Sequence, residues 1–300
     1  MELQEKRARV LDVLRRAVPA GEGSRLAVAF SGGVDSTLLL ALAREALGAE
    51  AVLAVTARSE SLAEDELAAC RRIAEALGVR LVLLRTAELS REGYRRNGPD
   101  RCYHCKDELF ARIDEVVRAR EGVQAVAYGA TACDLGDHRP GMRAAQEHGV
   151  LAPLADAGLV KQEIRALSEE LGLETWDKPA HPCLASRVPY GQEVTSTKLA
   201  RIERAEACLR RLGLRELRVR HHEDPAQGAP LARIEVPARA LPFLVEHADG
   251  INRELRAAGF AYVTLDLEGF RSGRLNDALT PAEGERDRGL PERRLPVLSS

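Results

Sequence analysis

Three hundred residues, 45% of them hydrophobic and 30% charged, give a chain long enough for one large domain and a smaller one. Aromatic residues make up only 4%, so the core must come mainly from Leu, Val, Ile and Ala. A formal net charge of −2 excludes a global attraction to nucleic acid or an anionic membrane, and no run approaches the ~20 apolar residues that span a bilayer.

In chain order, Val10, Leu14 and Val18 recur at helical spacing within a charge-interrupted N-terminus, which predicts an amphipathic helix and no signal-peptide core. The expected compartment is therefore the cytoplasm, where the six cysteines are reduced core residues, metal ligands or nucleophiles rather than disulfides. Arg25–Phe30 reads as a buried strand, 37–47 as a helix and Ala51–Thr56 as a second strand. Ser61 to Leu77 carries Leu67, Cys70, Ala74 and Leu77 at steps of three and four, a helical pattern. Arg80–Leu84 and Ala125–Tyr128 read as strands, with a helix from about Asp107 to Arg118 between them. Strands alternating with helices predict an α/β, doubly wound parallel sheet whose ligands gather at the carboxyl ends of the strands. Lys161–Leu171 is a further helix, followed by the proline-dense stretch 176–191. From Gln192 the order becomes α-β-β-α-β, with helices at about 196–212 and 239–257 and strands at Glu216–Arg220, Ala232–Val236 and Tyr262–Leu267, which predicts a smaller α+β domain. The expected division is 1–191, 192–276 and a flexible tail at 277–300.

The strongest motif is strand–SGGVDS–helix at 31–36. Gly32 and Gly33 let the backbone turn sharply and present successive N–H groups to an anion, Ser31, Ser36 and Thr37 add hydroxyls, and the following helix points its positive end at the same place. The loop lacks the lysine of the G-x-x-x-x-G-K-[ST] loop used for γ-phosphoryl transfer. Asp35 supplies instead a carboxylate able to hold Mg²⁺ against phosphates. The bland alternative is a turn followed by a helix cap.

The string resembles the PP-loop, or N-type, ATP pyrophosphatase superfamily. The resemblance implies that Ser31, Gly32, Gly33, Asp35, Ser36 and Thr37 bind the pyrophosphate of ATP with magnesium, and that Thr56 at the end of the second strand lines the adenine pocket. Such proteins adenylate an oxygen, release pyrophosphate and let a nucleophile displace AMP.

Cys183 lies in the irregular PAHPCLASR stretch beside Arg187, where a loop cysteine near a cation can attack as thiolate; the bland reading is an inert thiol. WDKPxxxCLASRxPYG at 176–191, GATACDLGDHRPG at 129–141 and DLEGFRSGRLN at 266–276 together are similar to the LarE-type sulfur transferases of nickel-pincer cofactor maturation, from about Leu26 to Asn276. The resemblance implies that a carboxylate of a pyridinium-3,5-dicarboxylate mononucleotide is adenylated, that Cys183 attacks, and that carbon–sulfur cleavage leaves dehydroalanine. It also implies a homo-oligomer, a hexamer. Cys102 and Cys105 form a C-x-x-C at a helix start, and with Cys183 give three thiolates suited to a [4Fe–4S] cluster with one iron open. That arrangement resembles cluster-dependent PP-loop sulfur transferases and would spare Cys183; packing of two cysteines at a helix start is the alternative. Cys70 and Cys208 read as core.

On the substrate side, Arg218 and Arg220 alternate on a strand and so share a face, suited to a phosphate, with Arg187 available to carboxylates. A solvated basic strand face is the bland reading. Three other functions use a similar loop: a tRNA thiolase, which the near-neutral charge disfavours; an ammonia-using amide synthetase; and a non-catalytic nucleotide sensor.

Overall fold

A computed structural model describes residues 2–19, 21, 23–134, 140–224 and 228–271. The expected tail at 277–300 lies outside the described residues, as do 135–139 and 272–276 of the two outer motifs.

The first part is a four-stranded parallel sheet in the order β3-β2-β1-β4. Its strands are β1 (Arg25–Ala29), β2 (Val52–Arg58), β3 (Arg80–Arg85) and β4 (Val123–Tyr128). The helices are α1 (Leu3–Ala17), α2 (Val34–Leu47), α3 (Glu64–Ala76), α4 (Glu92–Arg95), α5 (Arg101–Arg112), α6 (Ala119–Glu121), α7 (Pro140–Glu147), α8 (Pro153–Asp156) and α9 (Lys161–Glu170). Leu26, Val28, Val52 and Ala54 face one apolar layer with Val10, Leu14, Leu38, Leu42 and Ile164. Ala27, Ala29, Leu53 and Val55 face the other with Leu109, Phe110, Ile113 and Val117. The strands read as continuous apolar runs because both faces are covered.

The second part is a three-stranded mixed sheet of β5 (Arg218–Glu223), β6 (Pro230–Glu235) and β7 (Tyr262–Leu265), with β5 antiparallel and β7 parallel to β6. Helices α10 (Ser196–Arg211), α11 (Leu241–Glu246) and α12 (Ala248–Ala257) accompany it. Leu209, Val219, Ile234, Leu255 and Phe260 belong to its core.

Several expected boundaries shift. The helix expected from Asp107 begins at Arg101, so the C-x-x-C lies in its first turns, and it continues past Arg112 through a π-helical stretch, Ile113–Arg118. The single helix expected at 239–257 is broken at His247, whose backbone leaves helical geometry at φ −101° and whose ring stacks on Phe243. No helix among the described residues is long and apolar enough to cross a membrane.

One buried group gives the second sheet a pH dependence. His221 on β5 is 0% exposed, its ring lies against Phe260, and neither ring nitrogen has a partner. Burial, with the charges of Lys198 and Arg201, pushes its pKa down to about 4, against the opposing charge of Glu223. The unfolded chain therefore binds the proton first. The stability of the neutral ring is fully present above the ordinary value near 6.5 and is lost as pH falls toward about 4. The loss is about 3 kcal/mol at most by linkage. Urea unfolding at pH 7.5 and pH 4.5 is expected to show the weaker protein at the lower pH. His221→Leu should narrow that difference, and an unchanged difference would mean the acid lability comes from other groups, such as His181 and His222, whose pKa values burial also lowers.

Candidate active site

The loop 31–36 leaves β1 between β2 and β4. There the strand order reverses direction, and the crevice outside the carboxyl ends is open to a ligand. Glycine is required at two places, one in the loop and one beside it. Gly32 has φ +67°, and a Cβ there would stand 3.0 Å from the Cys70 sulfur. Gly129, just after β4, runs so close that a Cβ would lie 2.9 Å from the Ser36 amide nitrogen. A side chain at Gly32 would press on Cys70 beneath the loop, and one at Gly129 on the backbone at the start of α2.

The hydroxyls do different jobs. Ser36 Oγ donates to the Gly33 carbonyl at 3.1 Å and sits 3.2 Å from Ser31 Oγ. Thr37 is 1% exposed and its Oγ1 has no partner. Thr56 does not present its side chain to an adenine pocket: it is 2% exposed and donates to the Phe30 carbonyl at 2.8 Å. It therefore anchors the strand from which the loop departs. Cys70 is buried beneath Gly32; burial raises its thiol pKa and Thr56 partly offsets this.

Two lysines unread in the sequence converge on this loop. Lys161, the first residue of α9, places Nζ 2.6 Å from both Asp35 oxygens. Lys178 donates to the Gly32 carbonyl at 3.0 Å and to Glu66 at 2.7 Å. Lys161 has no local motif and Lys178, though part of the 176–191 motif, has no role legible from it; the packing of α9 and of that stretch brings both to the loop. Asp35 is thus a carboxylate at the mouth of an anion-binding loop, held by a single partly exposed ammonium that a divalent cation can replace. That donor chemistry fits Mg²⁺.

The stretch from Lys178 to Arg187 bridges the two sheets. On one side His181 approaches Glu66 at 3.7 Å and the Leu184 amide donates to the Ser61 carbonyl at 3.0 Å. On the other, Arg218 donates to the Ala180 carbonyl at 2.7 Å and Arg220 to the Ser186 carbonyl at 2.8 Å. Cys183 is exposed at the middle of this bridge.

The three arginines differ. Arg187, expected at substrate carboxylates, is 1% exposed and forms a two-bond pair with Glu206, while Nη1 donates to the carbonyls of Pro182 and Cys183. That expectation is corrected: its donors are committed to shaping the Cys183 turn. Glu206 is 0% exposed, and although burial alone would raise its pKa, Arg187 and Arg210 hold its carboxyl below the usual range. Removing Glu206 would leave the buried Arg187 charge without its carboxylate, at about 3–5 kcal/mol. Arg220 is also paired, with Glu235 at 2.9 Å. Arg218 is the exception. It is 5% exposed and, among the described residues, donates only to the carbonyls of Leu217 and Ala180, with its guanidinium 5.0 Å from the Phe270 ring centre. Burial, then the charges of Arg187 and Arg220, push its pKa down to about 10, against the opposing charges of Glu206 and Glu235. A buried cation with neutral partners fits an anion.

Cys102 and Cys105 come to the same pocket as Cys183. Cys105 lies within electrostatic reach of Cys183, Glu88 and Cys102, and burial first, then those charges, push its thiol up. Tyr94, which is 0% exposed, reaches Ser61 Oγ at 2.5 Å and is raised by burial and by Cys183 and Cys105. Asn97 clamps the pocket. It is 0% exposed at φ +57°, and its Nδ2 donates to the carbonyls of Val188, Pro189 and Gln192. The Asn-Gly pair at 97–98 is a turn signal in the sequence, but not a sign of these distant bonds. Among the described residues, no three His, Cys, Asp or Glu side chains stand close enough to hold a single metal ion. Cys133 is exposed and follows β4; Cys208 is buried in the second core.

The family model for NAD synthase matches residues 7–125, which include the phosphate loop. An uncharacterised protein of Synechocystis sp. is 44% identical over 262 residues, 87% of this chain and 95% of the relative. The pyridinium-3,5-bisthiocarboxylic acid mononucleotide synthase of Lactiplantibacillus plantarum is 43% identical over 260 residues, 86% of this chain and 91% of that enzyme. The chain belongs to the LarE family. An NH₃-dependent NAD⁺ synthetase of Methanococcoides burtonii is 30% identical over 154 residues, only 49% of this chain. The likeness to the LarE enzyme therefore spans both sheets, whereas the likeness to the amide synthetase spans half the chain. The LarE-type chain keeps the PP-loop domain and its α/β sheet and adds the small mixed sheet that carries Arg218.

Proposed function

We propose that the chain is an ATP-dependent sulfur transferase that adenylates a carboxylate of a pyridinium-3,5-dicarboxylate mononucleotide and replaces the carboxylate oxygen with sulfur. One observation carries the reading. The stretch bearing Cys183 is bonded on one side to the phosphate loop, through Lys178, and on the other to β5, through Arg218. A thiol thus stands between a nucleotide site and an unpaired buried cation.

The steps follow from the residues. The pyrophosphate of ATP binds the amides of 31–36 and the start of α2, with Mg²⁺ at Asp35 and Lys161 turning from Asp35 toward the phosphates. The substrate phosphate pairs with Arg218 at the β5 edge, and Arg220, fixed by Glu235, holds the Ser186 carbonyl beneath it. A substrate carboxylate oxygen attacks the α-phosphorus, the bond to the β-phosphate oxygen breaks, and pyrophosphate leaves. Sulfur then attacks the acyl carbon, and AMP departs with the carboxylate oxygen. Carboxylate oxygen is a poor leaving group, and AMP is a good one.

For the sulfur source, the shared pocket of Cys102, Cys105 and Cys183 favours a [4Fe–4S] cluster over sacrifice of Cys183. The three thiols supply the soft donors that an iron–sulfur cluster takes. Such a cluster would be held by the thiolates of Cys102, Cys105 and Cys183, and would supply the sulfur to be transferred. In the sacrificial alternative, Cys183 forms a thioester with loss of AMP; loss of its Cα proton then breaks its Cβ–S bond and leaves dehydroalanine. The protein acts on a small molecule, in the cytoplasm and as a homo-oligomer.

The test is anaerobic turnover with Mg-ATP and the pyridinium dicarboxylate mononucleotide, followed by mass analysis of the product and of the Cys183 peptide. Thiolated product, pyrophosphate and intact Cys183 are expected. Dehydroalanine at Cys183 would overturn the cluster route and keep sulfur transfer. Product formed only with ammonium, as an amide, would overturn sulfur transfer itself.

A further inference from the structure

Arg101 is a second buried guanidinium beside Cys183 with no carboxylate partner among the described residues. It is 4% exposed, and Nη1 donates to Asn97 Oδ1 at 2.6 Å and to the Ala185 carbonyl at 2.9 Å. Its guanidinium lies 5.9 Å from the centre of the Tyr190 ring. All these partners are neutral. Arg187 and Arg220, as deeply buried, each carry a glutamate. An uncompensated buried charge is costly, and a fold that keeps one needs an anion near it. The groups whose charge acts most on Arg101 are Cys183 from the bridging stretch, Cys102 from α5, Tyr94 from α4 and Tyr190 beyond Cys183. Two of the four are thiols, and no aspartate or glutamate is among them.

We infer that Arg101 is a positioning residue of the sulfur centre, the fixed counter-cation of the thiolates of Cys102, Cys105 and Cys183 and of the cluster they hold. The inference rests on the cluster reading above. Three thiolates and an added sulfide make the centre anionic, and reduction makes it more so. A fixed positive charge inside the fold therefore favours the reduced form and raises the reduction potential. The bond to Ala185 places the same cation against the turn that carries Cys183, so charge and position are delivered by one side chain. Arg218, by contrast, reaches the bridge at Ala180, from the sheet where the substrate phosphate is assigned.

The test is an EPR-monitored redox titration of the anaerobically reconstituted full chain, with iron content and apo-protein melting measured alongside. Arg101→Gln keeps an N–H for the Ala185 carbonyl but removes the charge. It is expected to make reduction at least tenfold less favourable, a shift of about 59 mV to more negative potential for a one-electron couple. Arg101→Lys keeps the charge and should titrate near wild type. Should Arg101→Gln not fold, Tyr190→Glu sets a carboxylate beside the guanidinium, leaves both Arg101 bonds in place, and should shift the potential the same way. A purely structural role predicts a lowered melting temperature with an unmoved potential, and that result would overturn the inference while leaving the cluster reading intact. A wild-type protein that takes up no iron would remove the cluster reading and the inference with it.

Discussion

Cys183→Ala is expected to abolish sulfur transfer, by on the order of 10³-fold or more, while ATP binding and pyrophosphate release persist. Both sulfur routes use this thiol, either as donor or as a ligand. Adenylation precedes the use of sulfur, so the loop at 31–36 can still turn over ATP on the substrate carboxylate. The variant should also fold. Cys183 is exposed, and the turn around it is held by backbone carbonyls bonded to Arg187, Arg218 and Arg220 rather than by its side chain. A surface truncation of this kind changes stability by about 0.5 kcal/mol or less. Product assay, nucleotide binding and pyrophosphate release, measured together, separate the outcomes. Retained sulfur transfer would refute the role of Cys183. Loss of ATP binding would mean that the thiol belongs to the nucleotide site.

Asp35→Ala should have the complementary effect. Pyrophosphate release is expected to fall by about 100-fold or more in kcat/KM, and raising Mg²⁺ should not restore it. The carboxylate is the hard oxygen ligand at the mouth of the loop, and its present partner is Lys161, with Nζ 2.6 Å from both oxygens. Removing Asp35 deletes the metal ligand and frees a cation that competes for the phosphates. Nucleotide can therefore remain bound in an unproductive pose. The variant keeps the α2 helix, whose start is capped by Gly33 without a side-chain bond. Its melting temperature should stay close to wild type. A metal-dependent rate equal to wild type would assign Mg²⁺ to other residues.

The two variants divide the reaction at the acyl adenylate. That division matches the architecture, in which the phosphate loop belongs to the first sheet and the buried Arg218 to the second. Lys178 and Arg218 hold one stretch of chain from opposite sides, so a small displacement of either sheet moves Cys183 relative to the adenylate. Catalysis that depends on near-attack geometry is sensitive to such displacement.

The sequence by itself determined the phosphate loop, because its parts are consecutive. A buried strand, two glycines, an acidic residue and an apolar helix are adjacent in the chain, and their chemistry comes from backbone amides that local geometry fixes. It likewise determined the parallel sheet, whose continuous apolar runs are legible wherever both faces of a strand are covered, and the change of pattern at Gln192. Only the tertiary structure decided which charged side chains face a ligand and which face each other. Arg187, Arg218 and Arg220 are alike in sequence, yet Arg187 and Arg220 are neutralised by Glu206 and Glu235 and Arg218 is not. Thr56, at the end of an apolar strand, turns into the fold and bonds Phe30. Lys161 and Lys178 sit far along the chain from Asp35 and Gly32, and Arg101, although next to Cys102, reaches Ala185 and the Cys183 turn only through packing. A guanidinium's role depends on its counter-ion, and counter-ions 15 to 19 residues away, as for Arg220 and Arg187, are chosen by packing rather than by spacing along the chain.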